Sequence, residues 1–131
     1  MTPAIVLATV LAGGCAAVVR YLVSVAFSRP SRPDGRAEFP WAVLVVNVVG
    51  SAIGGAALGL AASGGMDAGA QLILLTGVCG GLTTFSTLSV ETVQLVVVGR
   101  WRAAAVSVAA NLAAGTGRAV GAYALFVYVL I

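Results

Sequence analysis

Residues 80–89 read Gly-Gly-Leu-Thr-Thr-Phe-Ser-Thr-Leu-Ser, two glycines and five hydroxyls within an otherwise apolar run. Hydroxyls and amides are neutral donors that can replace part of an ion's hydration shell. Gly80-Gly81 followed by Thr83 and Thr84 is poor helix-forming material. A helix broken at membrane depth offers freed carbonyls to cations and a helix N-terminus to anions. Two readings stay open here: such a break, or a continuous helix whose hydroxyls bond back to their own carbonyls. Phe85 lies beside the cluster, and an aromatic edge is weakly positive toward an anion, although core packing is the commoner use of a lone phenylalanine. Ser107 and Asn111 are four apart with Gly115 next in the row, so they share a helix face, and Asn47 can supply a further amide donor. Three charges, Arg20, Glu91 and Arg118, also fall inside apolar runs, where each needs a partner or a purpose.

Other chemistry is poorly supplied. The chain has no histidine, and its acids are Asp34, Glu38, Asp67 and Glu91. Neither a metal cluster of side chains nor a Ser-His or Cys-His pair can be assembled, so an enzyme is not expected. Cys15 and Cys79 both sit in apolar runs and read as small fillers rather than a disulfide.

The elements that must carry these groups follow from composition. Of 131 residues, 60% are hydrophobic and 8% charged, against about a quarter charged in soluble domains. Apolar stretches cover about 3–28, 41–63, 71–99 and 103–131, and each reaches the ~20 residues that cross a bilayer. The expectation is an all-α integral membrane protein, one four-helix unit over 1–131, its third helix either broken near the centre or continuous. The first stretch lacks a charged leader and is expected to be a retained span rather than a signal peptide.

Four spans place the first and third connections on one side. Arg29, Arg32, Arg36, Arg100 and Arg102 all fall there, and the other side has no cation outside the spans. The positive-inside rule then puts both termini outside the cytoplasm. This distribution accounts for the basic net charge without nucleic acid as a partner. Arg100-Trp101-Arg102 looks like an interfacial anchor. Gly50/Gly54 and Gly55/Gly59 are small-xxx-small pairs that allow close helix approach in lipid.

The stretches GVCGGLTTFSTLSVET, WAVLVVNVVGSAIGG and GGCAAVVRYLVS, in spans three, two and one, resemble the Fluc (CrcB) family of fluoride channels. The resemblance covers nearly the whole chain. It implies a bacterial plasma-membrane channel that lets toxic fluoride leave the cytoplasm passively, built as an antiparallel dimer with two narrow pores and a central structural sodium ion. Carried over by motif, the carbonyls of Gly80 and Thr83 are this chain's share of the sodium ligands. Phe85 is the first pore phenylalanine, Asn47 the pore asparagine, and Ser86 and Thr87 nearby donors. Glu91 matches the acid after the break, Arg20 the first-span arginine, and Ser107 and Asn111 the span-four polar track.

Three positions depart from the family pattern. Leu88 stands where a second phenylalanine is usual, Gly115 where the polar track often continues, and Arg118 is an unusual charge about 20 Å from the C-terminal end. A buried Arg118 calls for an acid, carbonyls or a wet cavity, unless it snorkels to the interface. The one-sided arginines imply a fixed orientation, hence pairing with a homologous subunit inserted the other way; a homodimer is the alternative. The rival function is a non-conducting structural subunit of a membrane complex. A multidrug exporter is disfavoured because the first span carries Arg20 and no acid.

Overall fold

In the computed structural model, residues 2–27 and 39–130 are described. Arg29, Arg32 and Arg36, which carry most of the charge asymmetry, lie outside them. The described residues form four apolar helical spans: Pro3–Phe27, Trp41–Ala62, Ala68–Val97 and Trp101–Val129. No strand occurs among them. We label the first two α1 (Pro3–Phe27) and α2 (Trp41–Ala62). The third span divides into α3 (residues 68–82) and α4 (Phe85–Val97), and the fourth is α5 (Trp101–Leu130).

The third span begins three residues earlier than expected because Asp67 caps it, its Oδ1 accepting from the Gly69 and Ala70 amides at 2.8 and 3.1 Å. That contact satisfies two of the amides a helix start leaves without partners. The helix ends are equally legible. Gly64 and Gly99 take left-handed φ values of 75° and 76°. The amides of Gly65 and Arg100 reach back to the carbonyls of Leu60 and Leu95 at 2.8 Å each, the six-to-one closure for which glycine is favoured. Immediately after that turn, Trp101 and Arg102 already belong to α5, with the guanidinium 5.4 Å from the indole centroid.

α2 and α5 run parallel and touch at a constant separation of 64 residues, set by the Asn47–Asn111 hydrogen bond. The same register recurs one turn at a time at Ser51/Gly115, Gly55/Ala119 and Gly59/Tyr123. At Gly55 a Cβ would overlap the Ala119 carbonyl, and at Gly59 it would stand 2.7 Å from the Tyr123 carbonyl. At Gly54, by contrast, a Cβ would meet only Cys79 Sγ and a Leu75 methyl at 3.7 Å, an ordinary contact. Gly55→Ala should therefore destabilise the fold by ~1–3 kcal/mol, seen as a lower unfolding temperature in detergent, and Gly54→Ala should be near neutral. Equal stability of the two variants would contradict this helix register.

α1 packs along α3 through another set of small residues. A Cβ at Gly77 would lie 2.8 Å from the Thr9 carbonyl, and one at Gly81 would overlap the Gly13 carbonyl. Between Ile73 and Cys79 the helix widens to a π-helical turn, a distortion that often accompanies functional sites. Leu82, the last residue of α3, closes a small core with Ala16 and Val46.

Candidate functional site: the break in the third span

After Leu82 the chain leaves the helix for two residues. Thr83 (φ −80°, ψ 158°) and Thr84 (φ −150°, ψ 125°) are extended, and Phe85 restarts the helix. Backbone polar groups freed at membrane depth must be satisfied by protein or by a wet cavity. Here side chains do it. Asn47 Oδ1 accepts from the Thr84 amide at 2.8 Å, and its Nδ2 donates to the Thr84 carbonyl at 3.1 Å. One asparagine thus serves both backbone groups of Thr84, as a neighbouring strand would. The same Nδ2 donates to Asn111 Oδ1 at 2.9 Å, tying the break to α5. Arg20 Nη1 donates to the Thr83 carbonyl at 2.9 Å. Arg20 and Asn47 therefore clamp the break from α1 and α2.

The hydroxyls divide into two groups. Thr83 Oγ1 and Ser89 Oγ bond back to the carbonyls of Cys79 and Phe85 at 2.8 and 2.9 Å, the continuous-helix pattern considered for them. Thr84 caps α4: its Oγ1 accepts from the Thr87 amide at 3.2 Å, donates to Thr87 Oγ1 at 3.0 Å and lies 3.3 Å from Ser86 Oγ. The break and the back-bonding hydroxyls coexist in one stretch.

On α5, Asn111 Nδ2 donates to the Ser107 carbonyl at 2.9 Å. Ser107 is fully buried, at 0% exposure, and among the described residues its Oγ has no hydrogen-bond partner; Glu91 Oε2 and Thr92 Oγ1 are likewise buried and unpartnered there. The tight turn between α4 and α5 brings residues 91–92 to the level of residue 107. These unsatisfied groups therefore share one depth in the hairpin.

A cavity lined by Asn47, Ser51, Thr83, Thr84, Phe85 and Leu88 opens beside the break. Phe85 is 81% exposed on the surface of this chain, so packing in its own core does not explain it. Leu88, in place of the expected second ring, is 8% exposed and forms part of the cavity wall. Ser86 and Gly80 are exposed, and Thr83 and Thr87 half-buried.

Sequence reasoning missed two residues. Ser51, one turn after Asn47, adds a hydroxyl to the cavity, and its four-residue spacing from Asn47 was the available signal. Thr84 is the capping hub, for which an extended Thr followed by Ser86 and Thr87 is the usual signature. Arg118 is exposed on the surface of this chain, on the side of α5 where α2 presents Ala52.

Residues 7–123 match the family of CrcB-like proteins, described as Camphor Resistance (CrcB). The chain belongs to the CrcB family. It is 40% identical over 114 residues to Fluoride-specific ion channel FluC 1 of Thermobifida fusca, covering 87% of this chain and 88% of the relative. Identity to Fluoride-specific ion channel FluC of Nitrobacter winogradskyi is 39% over 101 residues, 76% and 77% of the two chains. A Nocardia farcinica relative, Fluoride-specific ion channel FluC 1, is 40% identical over 120 residues, 91% and 79%. With its four spans, this CrcB-family chain is a multi-pass membrane protein of a channel family rather than an enzyme family.

Proposed function

We propose that this chain is a subunit of a fluoride-selective channel that lets fluoride leave the cytoplasm passively, down its gradient. The observation that carries the reading is the Ser107 hydroxyl, fully buried, without a partner among the described residues, and one turn from the Asn111 amide. A buried donor left unsatisfied costs about 1–3 kcal/mol, and a small permeating anion that only accepts hydrogen bonds would recover that cost. The second Asn111 amide hydrogen is also uncommitted. The Ser86 and Thr87 hydroxyls and the Phe85 ring edge are the further donors of this reading at the start of α4. Asn47 has both amide hydrogens engaged, so it meets fluoride only by releasing the Thr84 carbonyl or Asn111. Selection works by dehydration: a narrow path must replace fluoride's water with donors, and chloride gains less from the same small site.

The break also fits a structural sodium ion. The Thr84 amide, the usual helical partner of the Gly80 carbonyl, is held by Asn47 instead, and Gly80 is exposed. The Thr83 carbonyl accepts one bond from Arg20 and keeps a second lone pair. When bound there, sodium supplies a fixed positive charge at mid-membrane. Arg20 holds the Thr83 carbonyl, and Asn47, by holding the Thr84 backbone, keeps the Thr84 amide away from the Gly80 carbonyl.

The 81% exposed Phe85 ring and the cavity open beside the break support a second subunit packed against this face. We assign an antiparallel partner, a homologous chain of opposite loop charge, because the five arginines of the first and third connections favour one orientation in a bacterial plasma membrane, with both termini outside. A homodimer follows if insertion is dual. Topology reporters at the C-terminus should report one orientation, and dual insertion after Arg29, Arg32 and Arg36 are replaced; dual insertion of the unmodified chain would overturn the heterodimer. Expression in a bacterium stripped of its own fluoride export should restore growth in fluoride, with this chain alone or with its partner.

A further inference from the structure

Arg118 stands seven residues beyond Asn111 on α5 and twelve before Leu130, about 10 Å past the break and about 18 Å from the helix end. A centred helix of 30 residues overhangs ~30 Å of hydrocarbon by about 7 Å at each end, which leaves the Arg118 backbone about 10 Å inside the apolar layer. A charge at this depth is costly unless paired or wet. Asp67 sits at the end of the second connection and is committed to the Gly69 and Ala70 amides, while Glu91 lies on the opposite half of the hairpin. Among the described residues, Arg118 has neither an ion pair nor a hydrogen bond.

Its surroundings are open. Arg118 lies in a trough with Ala52, Ala114, Gly117, Gly121 and Ala122. A Cβ at Gly117 or Gly121 would meet nothing within 4 Å. Ala52 of this trough is the neighbour of Ser51, which lines the cavity beside the break. The two hollows thus border consecutive positions of α2 without sharing a lining residue, and the α5 row of Ser107, Asn111 and Arg118 follows the same side of the helix, since eleven residues are close to three full turns.

We infer that the Arg118 trough is a water-filled anion site, a mouth of the conduction path that concentrates fluoride and other small monovalent anions before the donors at the break select among them. The inference rests on the channel reading, and deepens it by assigning the recruiting charge to a residue outside the family motif. A fixed guanidinium between low-dielectric walls raises local anion concentration.

The test measures the local field directly. In a chain with Cys15 and Cys79 replaced by alanine, Ala114→Cys is reacted from water with an anionic and a cationic methanethiosulfonate of similar size. With Arg118 present, the anionic reagent should be favoured roughly fivefold or more over its preference in the Arg118→Gln variant. Arg118→Lys should keep the preference, and high salt should erase it. Fluoride efflux at concentrations below saturation should fall in parallel in Arg118→Gln. A thiol unreactive from water, because lipid or a partner helix fills the trough, would overturn the site. So would a reagent preference that Arg118→Gln leaves unchanged. If the preference behaves as expected but wild-type vesicles release no fluoride, the anion site stands and the channel reading fails.

Discussion

Phe85→Ile is expected to lower fluoride flux by about tenfold or more, leaving the folded chain intact. The ring is 81% exposed on its own subunit, so its loss creates no cavity in that subunit's core. Edge contacts between aromatic rings are worth about 0.5–1.5 kcal/mol; an anion at the same edge on that scale is enough, because ~1.4 kcal/mol on a barrier is tenfold in rate. Isoleucine keeps bulk and hydrophobicity but has no positive edge, so the substitution isolates that term. Efflux from reconstituted vesicles gives the flux, and an unchanged unfolding temperature and assembly size exclude misfolding. Wild-type flux in the variant would remove Phe85 from the path.

Asn47→Leu should behave differently, losing stability and flux together. Asn47 makes three hydrogen bonds, two to the Thr84 backbone and one to Asn111. At ~1 kcal/mol net each, with orphaned backbone groups adding to the cost, the loss is about 3 kcal/mol or more. Asn111→Ala should be milder, because Thr84 stays held from α2. Thermal unfolding in detergent separates the cases. An Asn47→Leu variant as stable as wild type would mean that Thr84 is satisfied by water, and that α2 does not hold the break.

The contrast between these residues shows what could be read from the chain alone. Four spans were legible because apolar length is a one-dimensional property. The break in the third was legible because hydroxyls and glycines in an apolar run have few other uses. Its position was less so: Gly80-Gly81 drew attention as the weak helical point, yet the helix continues to Leu82 and departs at Thr83 and Thr84. Gly81 instead lets α1 approach, against the Gly13 carbonyl. Glycine marks both close packing and broken helix, and only the neighbour decides which.

Other features depend on tertiary contacts. Gly55 announced close packing, but nothing local says that its partner is Ala119 in a parallel register. Asn47 was legible as a polar group with a task, and its bracing of Thr84 emerges only when α2 lies against the break. Arg118 is legible as a charge that needs a partner, a wet cavity or the interface; the trough around it exists only once α2 presents Ala52 there. The π-helical turn at Ile73–Cys79 carries no local signature either, since a run of Ile, Leu, Val, Thr and Gly is compatible with an ordinary helix.

The most direct test of the central claim is efflux from liposomes loaded with both fluoride and chloride, read by ion-selective electrodes. The purified chain would be measured alone and after co-expression with a homologous subunit of opposite loop charge. Rapid loss of fluoride with chloride retained, in either preparation, is the expected result. Retention of both anions by folded protein in both preparations, or chloride leaving as fast as fluoride, would contradict a fluoride-selective channel.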